Sequence, residues 1–164
     1  MQKKEISMKE YSELMSLDRH FIWADYFKAE HYKLIDKNMD IIVGEDSIEE
    51  LGLFFLNPIG MYMCYWYATL YTVIEGLDSC KVDYKPIEKE VNEVKDNLRL
   101  FRNVIFHHQK GYFDARLFEI MKDKDSSKKI LAIHKYLDEE LQKEMKEFKL
   151  KDGEFDFSKL FSKN

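Results

Sequence analysis

The sequence predicts an all-α protein, an antiparallel bundle of about five main helices forming one domain over residues 1–164. Three observations carry that prediction. Proline and glycine are scarce, at 2 and 6 in 164 residues, so few positions are marked as breaks. Apolar residues recur at helical spacing through most of the chain. The polar connections between these segments are short, so neighbouring helices are expected to run antiparallel. The length suffices for one domain with a real core and is too small for two comfortable ones.

The elements follow in order. Residues 8–17 read as a short helix with Met8, Tyr11, Leu14 and Met15 along one side. Asp18 is a cap candidate for a longer helix to about Asp36, with Phe21, Ala24, Phe27, Leu34 and Ile35 inward. Residues 36–47, "DKNMDIIVGEDS", carry turn chemistry and read as a loop. Ser47 with Glu50 has the capping-box spacing for a short helix that stops at Asn57-Pro58. A helix over about 59–78 follows, then "DSCKVDYK", then a helix over 86–106 with Pro86 in its first turn. "HHQKG" interrupts, and 112–122 resumes. Ser126 or Ser127 is expected to cap the last long helix, about 128–149. The tail 150–164 keeps Phe155, Phe157, Leu160 and Phe161, which favours docking over a wholly free end.

Residues 51–74 carry no formal charge and are long enough to span a bilayer. Asn57-Pro58 and Gly60 interrupt the run, tyrosines stud the remainder, and Glu49, Glu50 and Glu75 bracket it where basic flanks would be expected. A helix buried on nearly every side fits better than a membrane span. The charged N-terminal stretch has no apolar signal-like core, and Cys64 and Cys80 have no paired spacing. A cytoplasmic protein with reduced thiols is the expectation. The net charge of −5 argues against a broad electrostatic grip on nucleic acid and leaves room for a small basic site.

Ile87, Val91, Val94, Leu98, Phe101 and Ile105 form one narrow stripe at 100° per residue. Arg102 sits at its edge. Leu100, Asn103, Val104 and His107 lie on the other side, which is polar earlier in the helix and apolar here. A helix apolar on both faces needs a second surface, either within the chain or on a twofold-related copy. His108 points elsewhere on the wheel, toward Ile105, so His107 is the imidazole expected at a shared cleft.

"RNVIFH", residues 102–107, resembles the Arg-polar-x-x-x-His signature of HEPN domains. The resemblance spans about 18–149, including the apolar helix before the motif and the amphipathic helix at the end. It implies a metal-independent RNA endonuclease of toxin–antitoxin or phage-defence type, a homodimer with paired motifs in a composite cleft, without cofactor or metal. An antitoxin or other partner protein is implied as well. The chemistry agrees with the residue types. Histidine titrates near neutral pH and serves as acid or base, which assigns His107. Arginine offers a fixed bidentate charge to phosphate, which assigns Arg102 as clamp. Asn103 is the orienting residue, and Lys110, Tyr112 and Arg116 extend the cleft to RNA backbone.

Other readings compete. Arg102 can simply pair with a carboxylate at the core edge, which leaves a non-catalytic helical binding or sensor module. Asp25, Glu30, His20 and His31 invite a metal site, but no Glu-x-x-His spacing supports one. His134 with Asp138 reads as a solvated helix pair. The aromatic helix 61–71 reads as core rather than as a base-stacking platform.

Overall fold

The computed structural model describes residues 4–37, 54–107, 117 and 123–150. Of the expected loop at 36–47, Asp36 and Lys37 still belong to the first helix, and 38–47 lie outside the described residues. So do the helix start at Ser47, the resumed helix at 112–122 apart from buried, helical Leu117, and the tail beyond residue 150. Within them the chain is an all-α bundle: α1 (Met8–Lys37), α2 (Pro58–Cys80), α3 (Glu88–Phe106) and α4 (Lys124–Glu147). A turn of 3₁₀-helix, Lys85–Ile87, leads into α3. Two three-residue strands, β1 (Lys4–Ile6) and β2 (Phe148–Leu150), pair in parallel with Ile6 opposite Leu150. The last helix therefore stops short of the expected residue 149. Three residues are too few for periodicity to tell strand from helix.

The two N-terminal helices are one. α1 runs unbroken through Asp18 because Leu14, Leu17, Phe21 and Ala24 form a single buried stripe at spacings of three, four and three. Its cap is Ser7. Ser7 Oγ accepts from Glu10 N–H at 3.3 Å, and Glu10 Oε2 accepts from Ser7 N–H at 3.0 Å. α4 also starts earlier than expected. Asp123, rather than either serine, accepts the Asp125 N–H at 3.0 Å and binds the Ser126 hydroxyl.

α2 is the centre of the bundle. Asn57 caps it, accepting from Ile59 N–H at 2.9 Å, with Pro58 in the first turn. Trp66, Ala68, Leu70, Val73 and Leu77 are fully enclosed, and α1 and α3 pack on either side. No described helix is long and apolar enough to cross a membrane. Gly60 is no helix breaker; the backbone carbonyl of Phe54 lies where its Cβ would be. Gly76 likewise admits Leu17, whose Cδ1 lies 2.5 Å from the position of an added Cβ. Leu17 beside Gly76 and His31 bonded to the Ile59 carbonyl show α1 and α2 running antiparallel.

α3 turns Val91, Val94, Leu98 and Phe101 inward, as its stripe predicts. Phe101 meets Tyr67 edge-on at 5.0 Å. α4 closes the bundle with Ile130, Ile133, Leu137 and Leu141. Lys129 ties it to Glu93 of α3 at 2.7 Å.

Candidate functional site at the end of α3

The motif occupies the last turns of α3. Acidic Glu88 and Glu90 begin the helix, where they suit the positive end of its dipole. The helix stops at Phe106, and His107 leaves it in extended conformation at φ −127°, ψ 135°. Its N–H still bonds the Asn103 carbonyl at 3.1 Å. His107 is exposed, and its neighbour Phe106 is 52% exposed. Leu100, Val104 and Ile105 are only partly buried against the chain's own core. The wheel position of His107 ceases to apply because its backbone is no longer helical.

Arg102 and Asn103 are joined directly. Arg102 Nη1 donates to Asn103 Oδ1 at 3.1 Å. Arg102 Nη2 also reaches Glu75 of α2, at 3.1 Å to Oε1 and 3.4 Å to Oε2. The guanidinium lies 5.5 Å from the centroid of the Tyr71 ring. Burial pushes the Tyr71 hydroxyl pKa up, and the charge of Glu75 and a hydrogen bond to it push the same way. Glu75 thus acts on the tyrosine one turn back on its own helix and bonds the arginine across the interface.

Electrostatics at this end are mixed. A helix C-terminus presents carbonyls and a partial negative charge, which suits cations and repels phosphate. Attraction for an anion must come from side chains, and the Arg102 charge is shared with Glu75. The pair is partly exposed, 29% and 41%, so its net stabilisation is small, about 0.2–1 kcal/mol. A phosphate can compete for it.

Lys110, Tyr112, Arg116 and His108 lie outside the described residues. Glu75 and Tyr71 join the site although the sequence gives them only as the flank and part of the uncharged run. The available signal is that Glu75 is the first charge after the uncharged run 51–74. The other described histidines have partners within the bundle. His20 Nδ1 lies 2.7 Å from the Ser16 carbonyl, and His31 Nδ1 lies 2.9 Å from that of Ile59. His134 is not solvated with Asp138; it is buried against Trp66, Phe21 and Asp25 because its ring turns into the bundle. Among the described residues no three His, Cys, Asp or Glu side chains gather as a metal set.

The geometry defines a helical-bundle protein with an Arg–Asn pair and an adjacent exposed imidazole at one helix terminus. Comparison with known proteins returns no matching family model, no matching curated protein and no matching solved structure.

Proposed function

We propose that the chain is a metal-independent RNA endonuclease of HEPN type, acting in a toxin–antitoxin or phage-defence setting in the cytoplasm. The observation that carries this reading is the bonded, partly exposed Arg102–Asn103 pair, with Asn103 about one helical turn before exposed His107. Arg102 clamps the scissile phosphate and stabilises the phosphorane. His107 moves the proton to or from the 2′-hydroxyl or the 5′-leaving oxygen. Asn103 fixes the guanidinium through its Oδ1. Two copies meeting along the 100–107 surface would bring two such sets to one cleft, with Phe106 at the contact, and Lys110, Tyr112 and Arg116 would extend it along the RNA backbone.

A second reading has its own support. The Glu75 carboxylate already occupies Arg102, and the helix terminus adds no positive field, which favours a binding or sensor module on the same frame. Incubation of the purified chain with a mixed RNA pool in excess EDTA separates the two. The nuclease reading expects cleavage with 2′,3′-cyclic phosphate or 3′-phosphate ends, since imidazole chemistry favours attack by the neighbouring 2′-hydroxyl. An intact pool leaves the binding module standing.

A further inference from the structure

One imidazole joins three helices. His134 of α4 is 1% exposed. Its Nδ1 lies 3.1 Å from Trp66 Nε1 on α2, and its Nε2 lies 3.1 Å from Asp25 Oδ1 on α1. An indole N–H only donates, so Nδ1 must accept and carries no proton. The single proton of the neutral ring therefore sits on Nε2 and is donated to Asp25. Phe21 packs on the ring at 4.8 Å between centroids. Lys28, one turn on along α1, binds the same Asp25 oxygen, Nζ to Oδ1 at 2.8 Å. Nδ1 is committed to accepting from Trp66 and Nε2 to donating to Asp25, so neither ring nitrogen can take a second proton without losing a partner.

We propose that Trp66–His134–Asp25 is an acid-released latch: a second proton on His134 displaces the Trp66 N–H and frees α4 from α1 and α2. The latch does not depend on the nuclease reading, since none of its residues belongs to the α3 terminus.

The charges that bear on His134 set the direction. Burial pushes its pKa below the ordinary 6.5, and Lys28 adds to this. The hydrogen bond and charge of Asp25 and the charge of Asp138 oppose the shift without reversing it. The unfolded chain thus takes up the proton at higher pH than the folded chain. The stabilisation is complete above about pH 6.5 and is lost as pH falls below it. Asp25 remains a carboxylate throughout that window. Burial alone would raise it, but the hydrogen bonds from Lys28 and His134 outweigh burial and lower it.

His31 supplies an internal contrast. Burial lowers its pKa too, while its Nδ1–H donates to the Ile59 carbonyl. A second proton enters at Nε2 and leaves that bond in place. Acid therefore costs stability at His31 without displacing an interhelical partner.

The test uses the full chain and three measurements. Nitrogen-15 imidazole spectra at pH 7.5 should show His134 neutral with its proton on Nε2. Hydrogen-exchange protection of α4 amides, corrected for intrinsic rate, should fall on the order of tenfold between pH 7.5 and 5.5. In His134→Gln the amide oxygen accepts from Trp66, the amide nitrogen donates to Asp25, and nothing titrates, so α4 protection should hold. Trp66→Phe removes the donor and should raise the His134 midpoint by about one pH unit, a tenfold gain in proton affinity. A proton on Nδ1 at pH 7.5, or equal loss of α4 protection in wild type and His134→Gln, overturns the latch. Should His134→Gln fold poorly, an unmoved midpoint in Trp66→Phe overturns it as well.

Discussion

Arg102 of α3 holds both carboxylate oxygens of Glu75 on α2 through a single nitrogen, Nη2, at 3.1 and 3.4 Å. The contact gives the proposed phosphate clamp an anion of its own. Glu75→Gln removes that charge and keeps a hydrogen-bond acceptor beside Arg102 and Tyr71. If RNA phosphate competes with Glu75, the variant should bind RNA roughly two- to fivefold more tightly, the equivalent of about 0.5–1 kcal/mol. Fluorescence titration with a short single-stranded RNA measures this. Unchanged affinity would mean that Arg102 does not meet the phosphate.

The close approach at the start of α2 makes a stability prediction independent of function. A Cβ at residue 60 would meet the Phe54 carbonyl, which is backbone and has little freedom to move. Gly60→Ala should cost about 1–3 kcal/mol, as other overpacked positions do. Urea unfolding reads the loss as a lower midpoint with unchanged slope. An equal or higher midpoint would show that the approach is not fixed in solution.

Much of this frame is legible in the sequence, and the failures have physical reasons. α2 and α3 are readable because an uncharged run and a six-residue stripe each leave one way to bury their apolar side chains. α1 reads as two helices only when Asp18 is weighed as a cap above the continuous stripe Leu14, Leu17, Phe21 and Ala24. The Ser7–Glu10 box marks its true start. The stripe decides because burial outweighs a single capping preference. His134 misleads for a different reason. Asp138 is its neighbour by spacing, but packing against Trp66 and Phe21 turns the ring toward Asp25, 109 positions away in sequence. The Arg102–Glu75 contact is also non-local, and no spacing within α3 points to it.

The Ser7 box carries a pH signature. Backbone and side-chain hydrogen bonds from Ser7 hold the Glu10 pKa down to about 2, against an ordinary 4.5. Its contribution is present above pH 4.5 and is lost as pH falls through about 2. Ser7→Ala should move the Glu10 midpoint back toward the ordinary value, as followed by carboxylate carbon-13 shifts, and lower the melting temperature by a few degrees. A Glu10 midpoint near 4.5 in the wild type would refute the capping box.

Assembly is tested at Phe106, which is exposed beside the motif. A twofold dimer along 100–107 should sediment as two chains at micromolar concentration, and Phe106→Ser should shift it toward monomer by removing an aromatic anchor. The melting temperature of the dissociated chain should change little, because the side chain is half in solvent. A wild-type monomer at that concentration would leave each Arg102–Asn103–His107 set alone and remove the composite cleft.

Catalysis is decided by single substitutions read against one another. His107→Ala should lose on the order of a hundredfold or more in cleavage rate, the usual contribution of a general acid or base. It should fold normally, since His107 is exposed and the variant keeps the backbone bond to the Asn103 carbonyl that closes α3. Arg102→Ala should be at least as damaging, because it removes the charge that meets the phosphorane. Its cost in stability should stay below about 1 kcal/mol, since the Glu75 pair is partly exposed. A large rate loss with a small stability loss is the pattern that separates a clamp from a structural ion pair. His108→Ala should matter less than His107→Ala, and the comparison assigns the imidazole within "HH". Equal rates for wild type and His107→Ala on the same RNA pool, with both folded, would end the enzyme reading. Arg102 would then stand as the tie between α2 and α3 that its bond to Glu75 already makes it.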